Sequence, residues 1–174
     1  MYGLPDASAL LALVSPPPPL SPGRAGDDLT GGLHDVQDLL ATASDAGVSP
    51  TSLLLSALAR HDRATVARAR RTAEWARLLG EAIGLGDGAI DAHDVALLSD
   101  VGQLALVGNH GSPWLEWQRR RASHDLLQAV PMLAHLATAV LSVSERFDGD
   151  GLPLGLRGHE IPMTARVARV VRDF

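Results

Sequence analysis

From Ser49 onward, apolar residues recur at steps of three and four, the spacing that lines one face of an α-helix. Ser49-Pro50 reads as an N-cap followed by proline at the first helical position, opening a helix over Thr51–Ala59. Val66–Ile83 comes next, with Ala69, Thr72, Ala73, Ala76, Leu79 and Ile83 on one face. Gly84-Leu85-Gly86-Asp87-Gly88 ends it, as glycine just past a helix should. Ile90–Leu98 is a further apolar helix. Asn109-His110-Gly111-Ser112-Pro113 breaks the chain, and Trp114–Val130, Pro131–Val143 and Thr164–Phe174 resume it. No stretch alternates with period two and no internal repeat is visible. The pattern predicts an all-α helical bundle.

Residues 1–48 lack such a pattern. Ser15-Pro16-Pro17-Pro18-Pro19 imposes polyproline II, and Pro22-Gly23 to Gly31-Gly32 is small and polar. Leu33–Ala43 has the pattern of one short helix, closed by Asp45-Ala46-Gly47. We read 1–48 as a tail or linker rather than a Pro-rich docking ligand, because one proline run has low specificity, and 49–174 as one domain.

Composition narrows the chemistry. Only 3% of residues are aromatic, so Leu, Val and Ala must build the core. With no Cys there are no disulfides, thiolate metal sites or cysteine nucleophiles. All 15 basic residues are Arg, which removes Schiff-base and P-loop lysine chemistry. A net charge of −5 argues against nucleic acid as the main partner. No apolar run approaches the ~18 residues of a membrane span, and Ala9–Val14 is too short for a signal segment. A cytoplasmic protein is expected.

The most informative stretch is Phe147–Pro162, F-D-G-D-G-L-P-L-G-L-R-G-H-E-I-P. Its glycines and prolines exclude a helix interior, so it is an ordered loop between the last two helices. It resembles the G-Y-P loop of HD-GYP domains, metal-dependent phosphodiesterases that open cyclic di-GMP, with Leu152 where that family has Tyr. The resemblance extends over Asp62–Phe174, and implies that this family's domain would continue beyond Phe174, so that the chain is truncated or another wall is supplied. The family's D-x-x-T-x-x-H frame falls on Asp62–Arg68, which puts Arg68 at a metal-ligand position. The H-D-x-G-K signature falls on Ser99-Asp100-Val101-Gly102-Gln103 and keeps only Asp100 and Gly102. The next ligand falls on His124, followed by Asp125 and Gln128. The H-H-E motif becomes Val143-Ser144-Glu145, keeping Glu145, and the last ligand falls on Arg172, with Asp173 facing elsewhere.

Such a phosphodiesterase needs clustered imidazoles and carboxylates to hold its iron or manganese. Of the matching ligand positions only Asp100 and His124 could still bind a metal, while Arg68 and Arg172 bring permanent positive charge. No metal cofactor is expected; Asp100, His124 and Glu145 are vestigial. Two roles remain for Arg68 and Arg172: pairing with Asp100 and Glu145 in a dead pocket, or binding the phosphates of a nucleotide. Asp100 has a third reading, as an acceptor for backbone N–H groups in the loop after it. His124 reads as a structural histidine, Arg119-Arg120-Arg121 as a solvated face, and Trp75, Trp114 and Trp117 as core or helix-packing residues. His61, His93, His110 and His159 share no site-like spacing.

The functional expectation is a non-catalytic regulatory or interaction domain. By the resemblance it docks a diguanylate-cyclase-type domain through the loop residues Asp148, Gly149, Gly151, Leu152 and Pro153. The alternatives are a cyclic di-GMP sensor using Arg68 and Arg172, and a residual phosphodiesterase built on Asp100, His124 and Glu145.

Overall fold

The computed structural model describes residues 49–105 and 113–174. The expected linker and short helix within 1–48, and the break at 109–112, lie outside the described residues. Six helices span Pro50–His61 (α1), Arg63–Ala82 (α2), Gly88–Leu98 (α3), Pro113–Gln128 (α4), Ala134–Leu141 (α5) and Met163–Arg172 (α6). Short 3-10 turns cover Val101–Ala105, Ser142–Ser144 and Gly158–Glu160, and no strand occurs among the described residues.

Each helix boundary has a local cause. Pro50 starts α1 because its missing N–H would have no intrahelical partner, yet the Ser49 hydroxyl does not cap the helix as expected. Asp62 caps α2 instead, accepting from Thr65 N at 3.0 Å and from Thr65 Oγ1 at 2.6 Å. Glycine at Gly84, with φ +75°, lets the chain turn out of α2 without a Cβ penalty.

α3 is the central helix, packed against α2, α5 and α6. Its Ala89, Ala92, Val95, Ala96, Leu97 and Leu98 are all buried, covering most of its circumference. α2 meets it through small residues, Ala69, Ala73, Ala76 and Gly80. The fit is close: a Cβ on Gly80 would lie 2.9 Å from Ala89 Cα. Leu126, Leu127, Leu136, Val140, Val143, Ile161, Val167 and Ala168 complete one continuous core. Aliphatic residues build it, as composition requires.

The α2 face departs from expectation at its edges. Thr72 and Leu79 are half-buried and Ile83 is exposed. Trp75, expected in the core or in helix packing, is 64% exposed. Trp117 is only partly buried. The reason for Trp75 is geometric: the α2–α3 seam is made of alanine and glycine, and an indole at that separation has no room between the backbones.

Candidate functional site

The site grows from the end of α3. Ser99 turns its hydroxyl back to Val95 O at 2.5 Å and is fully buried, while Asp100 emerges beside α4 and α6. Facing them from α4 is Arg120, only 1% exposed. Its Nη1 donates to Ser99 O at 2.5 Å and Asp100 Oδ1 at 3.3 Å, its Nη2 to Glu116 Oε1 at 2.7 Å, and its Nε to Ser144 Oγ at 3.3 Å. One planar fork thus joins the ends of α3 and α5 to α4, a task a point-charge ammonium could not perform. Burial, then the adjacent Arg172 guanidinium, pull Arg120 below the ordinary arginine value, with Asp100 and Glu116 acting against them. It begins high enough to stay charged.

Arg172, near the end of α6, is the second cation here. Its Nη1 lies 3.6 Å from Asp100 Oδ1 and its Nη2 3.8 Å from Glu116 Oε1. Of the pairings expected between Arg68 and Arg172 and the carboxylates of Asp100 and Glu145, Arg172–Asp100 forms, and Arg68 pairs with neither. Arg68 Nη2 donates to Thr65 Oγ1 at 2.9 Å, continuing the Asp62–Thr65 cap one turn further. The Thr65 hydroxyl and then its N–H hold the Asp62 carboxyl below the ordinary range. Arg68, Asp100 and Arg172 do line one cavity of about 470 Å³, together with Arg71, Thr72, Trp75 and Phe174.

Arg120 differs from its expected role, and one of the readings of Asp100 is selected. Arg120 is the core of the ion-pair network rather than part of a solvated face, because it shares the buried stripe of α4 with Ser123 and Leu127. That stripe was the available signal. Arg121, one position on, is exposed and pairs with Asp125 as a surface residue should. Of the readings of Asp100, pairing with guanidiniums is the one that forms, and among the described residues its carboxylate takes no backbone N–H of the following loop.

Glu145 also departs from its expected pairing. At 3% exposed, it accepts from Leu154 N at 2.5 Å and Leu156 N at 3.0 Å. It is the tether of the Phe147–Pro162 loop. Gly151 packs directly on that tether: a Cβ there would lie 2.5 Å from Glu145 Cα and closer still to Arg146 N. Asp148 pairs with Arg146 and accepts from Asp150 N at 3.0 Å, and Arg146 holds its carboxyl well below the ordinary range. Gly149, at φ +89°, makes the turn, and Arg157 Nε donates to Asp148 O at 3.0 Å. The Leu152–Pro153 bond is cis. Leu152 is 54% exposed, and Phe147 and Leu154 are exposed beside it, giving the loop an apolar tip. The Phe147 ring carries Arg166 at 5.2 Å and meets His159 edge-on at 5.9 Å.

Replacing Glu145 by Gln is expected to turn an NH₂ toward one of these two backbone donors and to leave it unpaired. The cost should be roughly 1–3 kcal/mol. Urea unfolding measures it, and faster tryptic cleavage at Arg157 should accompany it.

His124 Nδ1 lies 2.8 Å from Asp125 Oδ1, a local pair on its own helix. Among the described residues, no three His, Asp or Glu side chains come together as a metal site requires. Asp100 is also already engaged by two guanidiniums. The described residues do not fit a metal cluster.

Residues 52–174 match a family model described as HD domain. The chain belongs to the HD domain family. These are phosphohydrolase-like domains, and the six-helix, strand-free arrangement of the described residues agrees with the HD domain fold. No curated protein and no solved structure matches the chain. No described helix is long and apolar enough to cross a membrane.

Proposed function

We propose that this HD domain is a non-catalytic, HD-GYP-like regulatory module in cytoplasmic cyclic di-GMP signalling, working by protein interaction. The observation that carries the reading is the position of Arg120. Its guanidinium touches Ser99, Asp100 and Ser144, three positions where the HD-GYP resemblance puts metal ligands, and Arg172 stands at a fourth. A protein cation fills the place of the metal. Without a metal, nothing at Asp100 activates a water, so hydrolysis by the family's route has no agent. No cofactor is needed. The loop, by contrast, is fully built, and its apolar tip at Phe147, Leu152 and Leu154 is the surface offered to a diguanylate-cyclase-type partner.

The test is elemental analysis of protein produced with iron and manganese, alongside a cyclic di-GMP hydrolysis assay. Neither bound metal nor turnover is expected. Near-stoichiometric metal with turnover would overturn the reading and restore the residual phosphodiesterase built on Asp100 and His124. A second reading, nucleotide sensing through Arg68 and Arg172, is favoured by one observation: both line the same cavity.

A further inference from the structure

We infer that the acidic stretch of residues 27–45 folds back along α1 and clasps the arginine-rich corner where α1 runs into α2. The inference goes beyond the non-catalytic reading and does not depend on it. The face concerned is also separate from the cavity that Arg68 lines. Arg68 lies ~140° around α2 from Arg63, five residues at ~100° each, whereas Arg70 is nearly in line with Arg63.

Charge distribution is the first argument. Residues 1–48 hold six aspartates against Arg24 alone, so the whole net charge of −5 belongs to them. Residues 49–174 carry fourteen arginines and fourteen acidic side chains, a balance that fails locally. Residues 60–71 contain five arginines and one acid, Asp62, whose carboxylate is already held by Thr65. Arg60, Arg63 and Arg70 are exposed, and none has a carboxylate within ion-pair distance among the described residues. By contrast, Arg77, Arg121, Arg146 and Arg169 each have one. Like charges crowded into one corner repel, and an acidic segment laid over them relieves that repulsion.

Reach selects this chain's own segment over a separate acidic partner. Only residues 44–48 connect the helical pattern of 33–43 to Ser49, and a connection that short makes consecutive helices pack antiparallel. Residues 33–43 make a helix ~16 Å long and α1 is ~18 Å long, at 1.5 Å per residue. Laid antiparallel, Ala43 sits beside the start of α1 and Leu33 beside Arg60 near its end. Asp35 then falls within a turn of Arg60, and Asp27 and Asp28 continue over Arg63 and Arg70.

Apolar spacing agrees with that register. Leu33, Val36, Leu40 and Ala43 recur at steps of three, four and three, one stripe of a helix. On α1, Leu53 and Ala57 are half-buried, and Arg60 lies on the same face three residues further on. That face therefore offers an apolar ledge that ends in a cation, matching a stripe that ends in an acid. Closed, the clasp covers the corner; open, it presents three arginines to an anionic partner.

The experiment is a spin-label distance measurement on the full chain, which has no native Cys, with nitroxides at Gln37→Cys and Ser56→Cys. A narrow distribution at ~20 Å or less is expected, since packed helix axes lie ~8–10 Å apart. It should persist when excess unlabelled chain is added. Arg60→Gln, Arg63→Gln and Arg70→Gln together should lower the closed-to-open ratio about tenfold, each exposed pair contributing a factor of about two. Salt at about 1 M should act in the same direction, because it shortens the screening length to ~3 Å. Asp27→Arg, Asp28→Arg and Asp35→Arg together should open the clasp, and adding Arg60→Asp, Arg63→Asp and Arg70→Asp should close it again. All substituted sites on α1 and α2 are exposed, so helical circular dichroism should stay unchanged. A broad distribution in the labelled chain without charge changes overturns the inference, as does a narrow one that ignores both sets of charge changes. Loss of the narrow distance on adding unlabelled chain overturns it too, because the segment then lies on a second copy. Metal content and cyclic di-GMP turnover are measured separately and bear only on the non-catalytic reading.

Discussion

Replacing Arg120 by Met is expected to destabilise the domain by ~3–5 kcal/mol, the range for removing one partner of a buried ion pair. Methionine fills much of the same volume, so the loss is mainly electrostatic rather than a cavity. Asp100, only 16% exposed, would keep Arg172 alone, and Ser144 and Glu116 would each lose a donor. Arg120→Lys should recover only part of the loss, because one ammonium cannot span Ser99 O, Asp100, Glu116 and Ser144 together. Arg121→Met, one position along and exposed in its pair with Asp125, should change stability by no more than ~0.5 kcal/mol. Urea midpoints at constant slope measure all three. Similar midpoints for the Arg120 and Arg121 variants would mean that the network does not hold the helices together.

Gly102→Ala is also expected to be damaging, for a different reason. Gly102 lies in the 3-10 turn that runs against α4, and its N–H donates to Ser123 Oγ at 2.8 Å. An added Cβ would lie 2.5 Å from Ser123 N and 2.8 Å from Ser123 Oγ, and closer still to Arg119 O. Two of these are backbone atoms of a helix, so no rotamer change relieves the overlap and α4 itself must move. Overpacking that shifts backbone costs ~1–3 kcal/mol or more. The displacement would also pull Arg120 away from Ser99 and Asp100, so its effect should be non-additive with Arg120→Met. A thermal melt of the two single variants and the double variant tests this. Full additivity would show that Gly102 and Arg120 act independently.

Much of the fold was legible in the sequence because it rests on local periodicity. The helices begin and end within a few residues of their expected positions, and the stops at Gly84 and in the Phe147–Pro162 loop follow from glycine and proline chemistry. The site was less legible. Asp100, Arg68 and Arg172 line one cavity, and the Asp100–Arg172 pair forms. What failed was the assignment of partners. Arg120 was hidden in a run of three arginines, and only its phase relative to Ser123 and Leu127 separates it from its neighbours. Glu145 looked like a partner for a cation, yet its carboxylate satisfies two backbone donors nine and eleven residues further on. A sequence shows which residues carry charge but not which distant backbone group comes to meet them. Trp75 erred in the opposite direction, since an apolar residue on a helix of small contacts belongs outside.

Arg120 has a consequence for how the domain is inherited and supplied. A charge carried by a side chain is written in the reading frame and delivered by the ribosome with the rest of the polypeptide. The centre of this domain is therefore charged at synthesis, in the same amount in every copy. On the reading proposed above, its assembly is insensitive to scarcity or chelation of trace elements, and a single codon, rather than cellular mineral nutrition, determines whether the helices close around it.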